Sequence, residues 1–138
     1  MKRICTGRIV SLSIGVVYLW FGCMKFFNDS TPIAQLAQNT IEVLSIGLIP
    51  PHLSIMILAA VETGLGALLI FQPIRVVLVI SFFHILFTFS PIFLFPEYVF
   101  TESGLGFTLI GQYIFKNIII VGCLLFLINA TPKRPVGI

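Results

Sequence analysis

The chain has 138 residues, of which 58% are hydrophobic and only 9% charged, and its mean hydropathy is +1.11. Soluble domains carry about 25% charged residues, so this composition excludes an ordinary soluble domain and belongs to the membrane class. The net charge of +3 does not mark a nucleic-acid binder: Lys2, Arg3, Arg8, Arg75, Lys133 and Arg134 fall at the N-terminus, in one tight loop and in the C-terminal tail, where the positive-inside rule places cytoplasmic charge.

Spans of about 20 residues joined by short loops use up nearly the whole length and leave no room for a second, soluble domain. The expected fold is all-α: a membrane-spanning four-helix bundle over residues 1–138, with spans near 9–27, 53–71, 76–95 and 107–128 and a short outer-surface helix between the first two. Asp29, Glu42, Glu97 and Glu102 fall in the two remaining loops. Both termini are therefore expected on the cytoplasmic side of a multi-pass protein of the cell (plasma or inner) membrane.

In chain order, residues 1–8 are basic and the apolar segment Ile9 to Phe27 follows. It is too long for a signal peptide and lacks a small-x-small cleavage site, so it reads as the first span. Ser11, Gly15, Tyr18, Gly22 and Lys25 share one face of that helix, and the small residues among them allow a neighbouring helix to approach closely. Asn28-Asp29-Ser30-Thr31-Pro32 predicts a helix start, with Ser30 or Thr31 as N-cap and Pro32 in the first helical position. The helix over 32–44 is too polar to span, carrying Gln35, Gln38, Asn39 and Glu42, and Gly47 and Pro50-Pro51 end it.

The second span, from about Leu53 to Phe71, contains a single charged residue, Glu62. An ionisable group at mid-bilayer costs about 2.5–3.5 kcal/mol even on the forgiving insertion scale, so this carboxyl has to be protonated, hydrated or paired. Gln72-Pro73 closes that span; the third carries Ser81, His84 and Thr88 on one stripe, with Pro91 and Pro96 breaking its outer end. The fourth has Thr108, Gln112 and Lys116 at helical spacing, and a short basic tail follows.

Each span thus holds one strongly polar residue: Lys25, Glu62, His84 and Lys116. Measured from the inner boundary at about 1.5 Å per residue, His84 lies at ~13 Å, Glu62 at ~15 Å, Lys116 at ~20 Å and Lys25 at ~25 Å. Side chains tilt toward a helix N-terminus, which draws both lysines and the carboxylate together in the outer half of the bundle. The expected site is a buried cluster in which Glu62 accepts from Lys116, with Lys25 or His84 nearby and Gln112, Tyr18 and Asn117 satisfying the remaining donors and acceptors. The alternative is an ion pair that only sets helix register. For Lys25 a further alternative is snorkelling to the surface.

His84 and His52 differ by some ~15 Å in depth, so joint axial ligation of haem is not expected. No spacing of Cys, His and carboxylates suits a metal, and Cys5, Cys23 and Cys123 form no dithiol pair. No flavin motif is present either, so the chain is not expected to catalyse electron transfer alone.

The segment Tyr18-Leu19-Trp20-Phe21-Gly22-Cys23-Met24-Lys25-Phe26 resembles the "W-x-G-x-x-K-F" end of the first span in DoxX-like membrane proteins. Val61-Glu62-Thr63-Gly64-Leu65-Gly66 is similar to their "E-x-x-x-G" second helix, and Gly111-Gln112-Tyr113-Ile114-Phe115-Lys116-Asn117 to their "G-x-x-x-x-K-[DN]" fourth. The resemblance covers essentially the whole chain. It implies a four-helix membrane bundle related to a subunit of a thiosulfate:quinone oxidoreductase and to proteins of oxidative or reactive-chlorine stress. Asn117 stands where relatives often carry Asp, so a second family carboxylate is absent. Three functions follow as expectations: a redox accessory that binds quinone or docks a redox-partner protein, a proton or small-solute transporter formed alone or as a homo-oligomer, and a purely structural assembly partner.

Overall fold

A bilayer offers the backbone no water to bond, so an apolar run must satisfy its own N–H and C=O groups, and a helix does this within one segment. The structure, a computed structural model, describes residues 2–27 and 31–132. It is all-α, with α1 (Lys2–Phe27), α2 (Pro32–Leu44), α3 (Pro51–Phe71), α4 (Arg75–Phe87), α5 (Ser90–Leu94), α6 (Pro96–Val99), α7 (Leu109–Phe115) and α8 (Asn117–Ala130). Four stretches are long and apolar enough to cross a membrane: Thr6–Phe27, Pro51–Phe71, Arg75–Leu94 and Leu109–Ala130. The chain is a multi-pass membrane four-helix bundle. Asp29, the alternative cap Ser30, and Lys133 and Arg134 of the basic tail lie outside the described residues.

The third span breaks where Pro91 was expected to break it, and the fourth differs in detail from the expected pattern. The third is interrupted between α4 and α5, because Pro91 lacks an N–H and is accommodated in the first turn of a new helix. The fourth begins at Leu109 rather than 107, since Thr108 serves as its N-cap and accepts from Gly111 N at 3.0 Å. It is also re-registered at Lys116, whose carbonyl accepts from Ile119 N at 3.1 Å in a tighter i to i+3 bond.

The closest helix pair is α1 with α3. A Cβ built on Gly66 would lie 2.5 Å from Leu19 N and 2.8 Å from Gly15 O, so the two backbones touch where the glycines face each other. Ser11 Oγ donates across the same seam to Leu69 O at 2.7 Å. At the end of the bundle that holds the start of α1, Arg75 Nη1 donates to the Ile128 and Thr131 carbonyls, both at 2.8 Å. A guanidinium there satisfies carbonyls left over by the end of α8 and ties α4 to it.

The short helix α2 sits at the opposite end, packed against α3 and α5. Thr31 Oγ1 caps it by accepting from Ala34 N at 3.2 Å, and Pro32 occupies its first turn. It buries Ala34, Leu36 and Thr40 and exposes Gln35, Asn39 and Glu42 along the other side. Its C-terminus closes through Gly47 N to Glu42 O at 2.8 Å and Ile46 N to Val43 O at 3.2 Å, the paired bonds of a Schellman motif. The left-handed C′ position of that motif falls on Ile46 (φ 55°), with Gly47 one residue later. A β-branched residue there costs about 1–2 kcal/mol. Ile46→Gly is therefore expected to stabilise the fold by about 1 kcal/mol, read as a raised melting temperature, because the side chain is almost wholly exposed and little packing is lost.

Two apolar clusters fill the interior. One holds Ile14, Leu65, Leu69, Leu78, Ile85 and Leu124, and the other gathers Leu36, Val99 and Ile114 with Phe89, Phe95, Phe100 and Phe107. The candidate site lies between them.

Candidate functional site

The glycine contacts that pull α1 onto α3 also decide which basic residue meets Glu62. Gly22 lies one turn before Lys25, and a Cβ on it would be 2.6 Å from Thr63 N, so this turn of α1 rides directly on the Glu62 turn of α3. Lys25 Nζ donates to Glu62 Oε2 as a hydrogen-bonded ion pair, with side chains only 15% and 10% exposed. On α4, His84 Nε2 stands 3.8 Å from Glu62 Oε1, beyond a direct hydrogen bond. His84 Nδ1 is 3.3 Å from the Tyr18 hydroxyl, which donates to the Ser81 carbonyl at 3.0 Å. The Tyr18 and His84 rings lie 5.4 Å apart, centre to centre. One polar chain, Lys25–Glu62–His84–Tyr18–Ser81, therefore links α1, α3 and α4.

This chain forms a wall of a cavity of about 820 Å³. Lys25, Glu62, His84 and Tyr18 all face it. The remaining lining is largely apolar, from Trp20, Phe21 and Met24 of α1, Leu36 and Ile41 of α2, Leu58 of α3, Ile85 of α4, and Ile114 and Ile120 of α7 and α8. Comparison with protein-family models, with curated proteins and with solved structures gives no match for this chain.

The expected pairing of Glu62 with Lys116 is not what the structure has. Lys116 Nζ sits 4.8 Å from the centre of the Phe21 ring and 4.2 Å from that of Tyr113, held between two aromatic faces at the edge of the cavity. The reason is lateral. Depth along the membrane normal placed Lys116 near Glu62, but its ammonium is engaged with the Phe21 and Tyr113 rings, and Lys25 already occupies the carboxylate. Lys25 is paired rather than snorkelled out. Asn117 lines the cavity and donates from Nδ2 to Thr88 Oγ1 at 3.0 Å, which ties the fourth span to the end of α4. Gln112 is exposed, bonding the Phe107 carbonyl at 3.4 Å, and contributes to a separate shallow groove with Leu109, Tyr113 and Lys116.

Sequence reasoning treated α2 as a surface helix and missed that its buried edge lines the cavity. The signal available was the alternation of buried-type Leu36 and Thr40 with Gln35, Asn39 and Glu42, which shows a two-sided helix without saying what the apolar side covers. Among the described residues, no three His, Cys, Asp or Glu side chains gather closely enough to hold a metal ion.

Proposed function

We propose that this protein is a ligand-binding accessory, or non-catalytic subunit, of a quinone-linked membrane redox or oxidative-stress system, and that the cavity receives the quinone head group. The observation that carries this reading is the placement of an ion pair and a histidine on the wall of an otherwise apolar cavity of about 820 Å³ inside a membrane bundle. Ligand pockets run about 300–1,000 Å³ and combine apolar lining with a few convergent polar groups. Ionisable groups within spans are expensive and tend to mark binding or proton paths. The resemblance of the Trp20–Phe26, Glu62–Gly66 and Gly111–Asn117 segments to DoxX-like proteins points the same way. In this reading the basic termini and Arg75 face the cytoplasm, and the α2 end faces outward.

Trp20, the one tryptophan, lines the cavity and serves as the reporter. Protein purified in nanodiscs is expected to yield quinone on organic extraction and to show saturable quenching of Trp20 by a short-tailed quinone. Glu62→Gln is expected to weaken that binding about tenfold, because the carboxylate holds in place the Lys25 ammonium that donates to a quinone carbonyl. Absence of both extracted quinone and quenching would leave the ion pair as a packing device only.

A further inference from the structure

The phenol of Tyr18 has one hydrogen, and its nearer acceptor is the Ser81 carbonyl at 3.0 Å. With that hydrogen committed, the phenol oxygen can only accept from the imidazole, so the 3.3 Å contact makes His84 Nδ1 the N–H nitrogen. In the neutral ring, Nε2 then carries a lone pair. It faces Glu62 Oε1 at 3.8 Å, while the other carboxylate oxygen is taken by Lys25. Two acceptors thus look at one another across the cavity wall, and beside them stands an ammonium group with more hydrogens than its single bond to Glu62 uses. An oxygen bound here has to accept from Lys25 and donate its one hydrogen to His84 Nε2 or Glu62 Oε1. A carbonyl can do only the first. A hydroxyl can do both.

Resting on the proposed quinone reading, we infer that the site is built for a hydroxyl-bearing apolar ring, so that it takes the reduced, quinol form of its ligand in preference to the quinone. Buried polar groups left without a partner are costly, and sites made to bond a hydroxyl reject the analogue without one far more strongly than apolar pockets reject a misfit in size. Quinol and quinone differ by two electrons and two protons, with the same ring and tail, so the preference isolates the hydroxyl. Preferential binding of the reduced form favours reduction and raises the midpoint potential of the bound couple.

The test compares decyl-substituted quinol, kept anaerobic, with the matching quinone on the full chain in nanodiscs, both titrated by quenching of Trp20. The expected result is at least about tenfold tighter binding of the quinol, equivalent to a rise of about 30 mV in the two-electron potential of the bound couple. His84→Phe keeps a ring of similar size and removes the Nε2 acceptor; it is expected to lower the preference about threefold, with Glu62 Oε1 left as the other acceptor, while quinone still binds. Equal binding of the two forms by the unaltered protein, which needs no variant to fold, overturns the inference and leaves the quinone reading standing. A preference left undiminished by His84→Phe overturns the assigned role of that nitrogen. Binding of neither form overturns the quinone reading and the inference with it.

Discussion

Lys25→Met is expected to destabilise the protein by about 3 kcal/mol, whereas Lys116→Met, the same change at the lysine that sequence depth favoured, is expected to cost less than about 1 kcal/mol. Removing one partner of a buried ion pair leaves the other charge without compensation, at about 3–5 kcal/mol; the low end applies because a stranded carboxyl can take up a proton. Glu62 is 8% exposed and, among the described residues, has no second ammonium to turn to, since Lys116 is engaged with the Phe21 and Tyr113 rings. Lys116 is itself exposed, where a cation over an aromatic face contributes about 0.5–1 kcal/mol. Thermal unfolding of the two variants in one detergent separates the cases. A larger loss from Lys116→Met than from Lys25→Met contradicts the pairing described above.

The second large effect is steric. Gly66→Ala is expected to cost about 3 kcal/mol and to weaken ligand binding, although it adds only a methyl group. That methyl carbon would be placed 2.5 Å from Leu19 N, 2.8 Å from Gly15 O and 2.9 Å from Leu19 Cα. All three are backbone atoms, so no side-chain rotation relieves the contact and α1 has to lift from α3. The same seam sets Gly22 against Thr63 and Lys25 against Glu62, so lifting it separates the ion pair as well. Gly64→Ala is the matched control on the same helix. A Cβ there meets no heavy atom within 4 Å, and Ala is the better helix former by about 0.8–1.0 kcal/mol, so that variant is expected to be neutral or slightly stabilised. Melting curves for the pair, with Trp20 quenching as the binding readout, check both expectations. Equal melting temperatures for the two variants would mean that α1 and α3 do not touch at Gly66.

The four spans were legible because long apolar runs such as Leu53–Phe71 have few alternatives in a bilayer, and the interruption in the third span was written in Pro91. The placement of Glu62 as the centre of a polar cluster was legible for the same energetic reason. Its partner was not. Depth along the membrane normal follows from residue count, but which helix lies beside which depends on lateral packing, and that was carried by Gly15, Gly22 and Gly66 jointly. The glycines of α1 announced a close approach without naming the helix they approach; only the matching Gly66 on α3 completes the contact. The break at Lys116 had no proline or glycine to mark it. The part played by α2 was hidden because a short two-sided helix carries no information on whether its apolar side meets lipid, a helix or a cavity. Tyr18 and His84 were both singled out by their stripes, yet their contact joins two spans 66 residues apart in sequence.

The most direct measurement is a pair of double-mutant cycles on folding stability, one between Lys25 and Glu62 and one between Lys116 and Glu62, using Lys→Met and Glu62→Gln. Residues in direct contact couple, and distant ones add within about 0.5 kcal/mol. The arrangement described here predicts a coupling of about 1.5 kcal/mol for Lys25 with Glu62, near the upper end for polar contacts inside membranes, and none beyond additivity for Lys116. Strong coupling of Glu62 to Lys116 with additivity at Lys25 would contradict it.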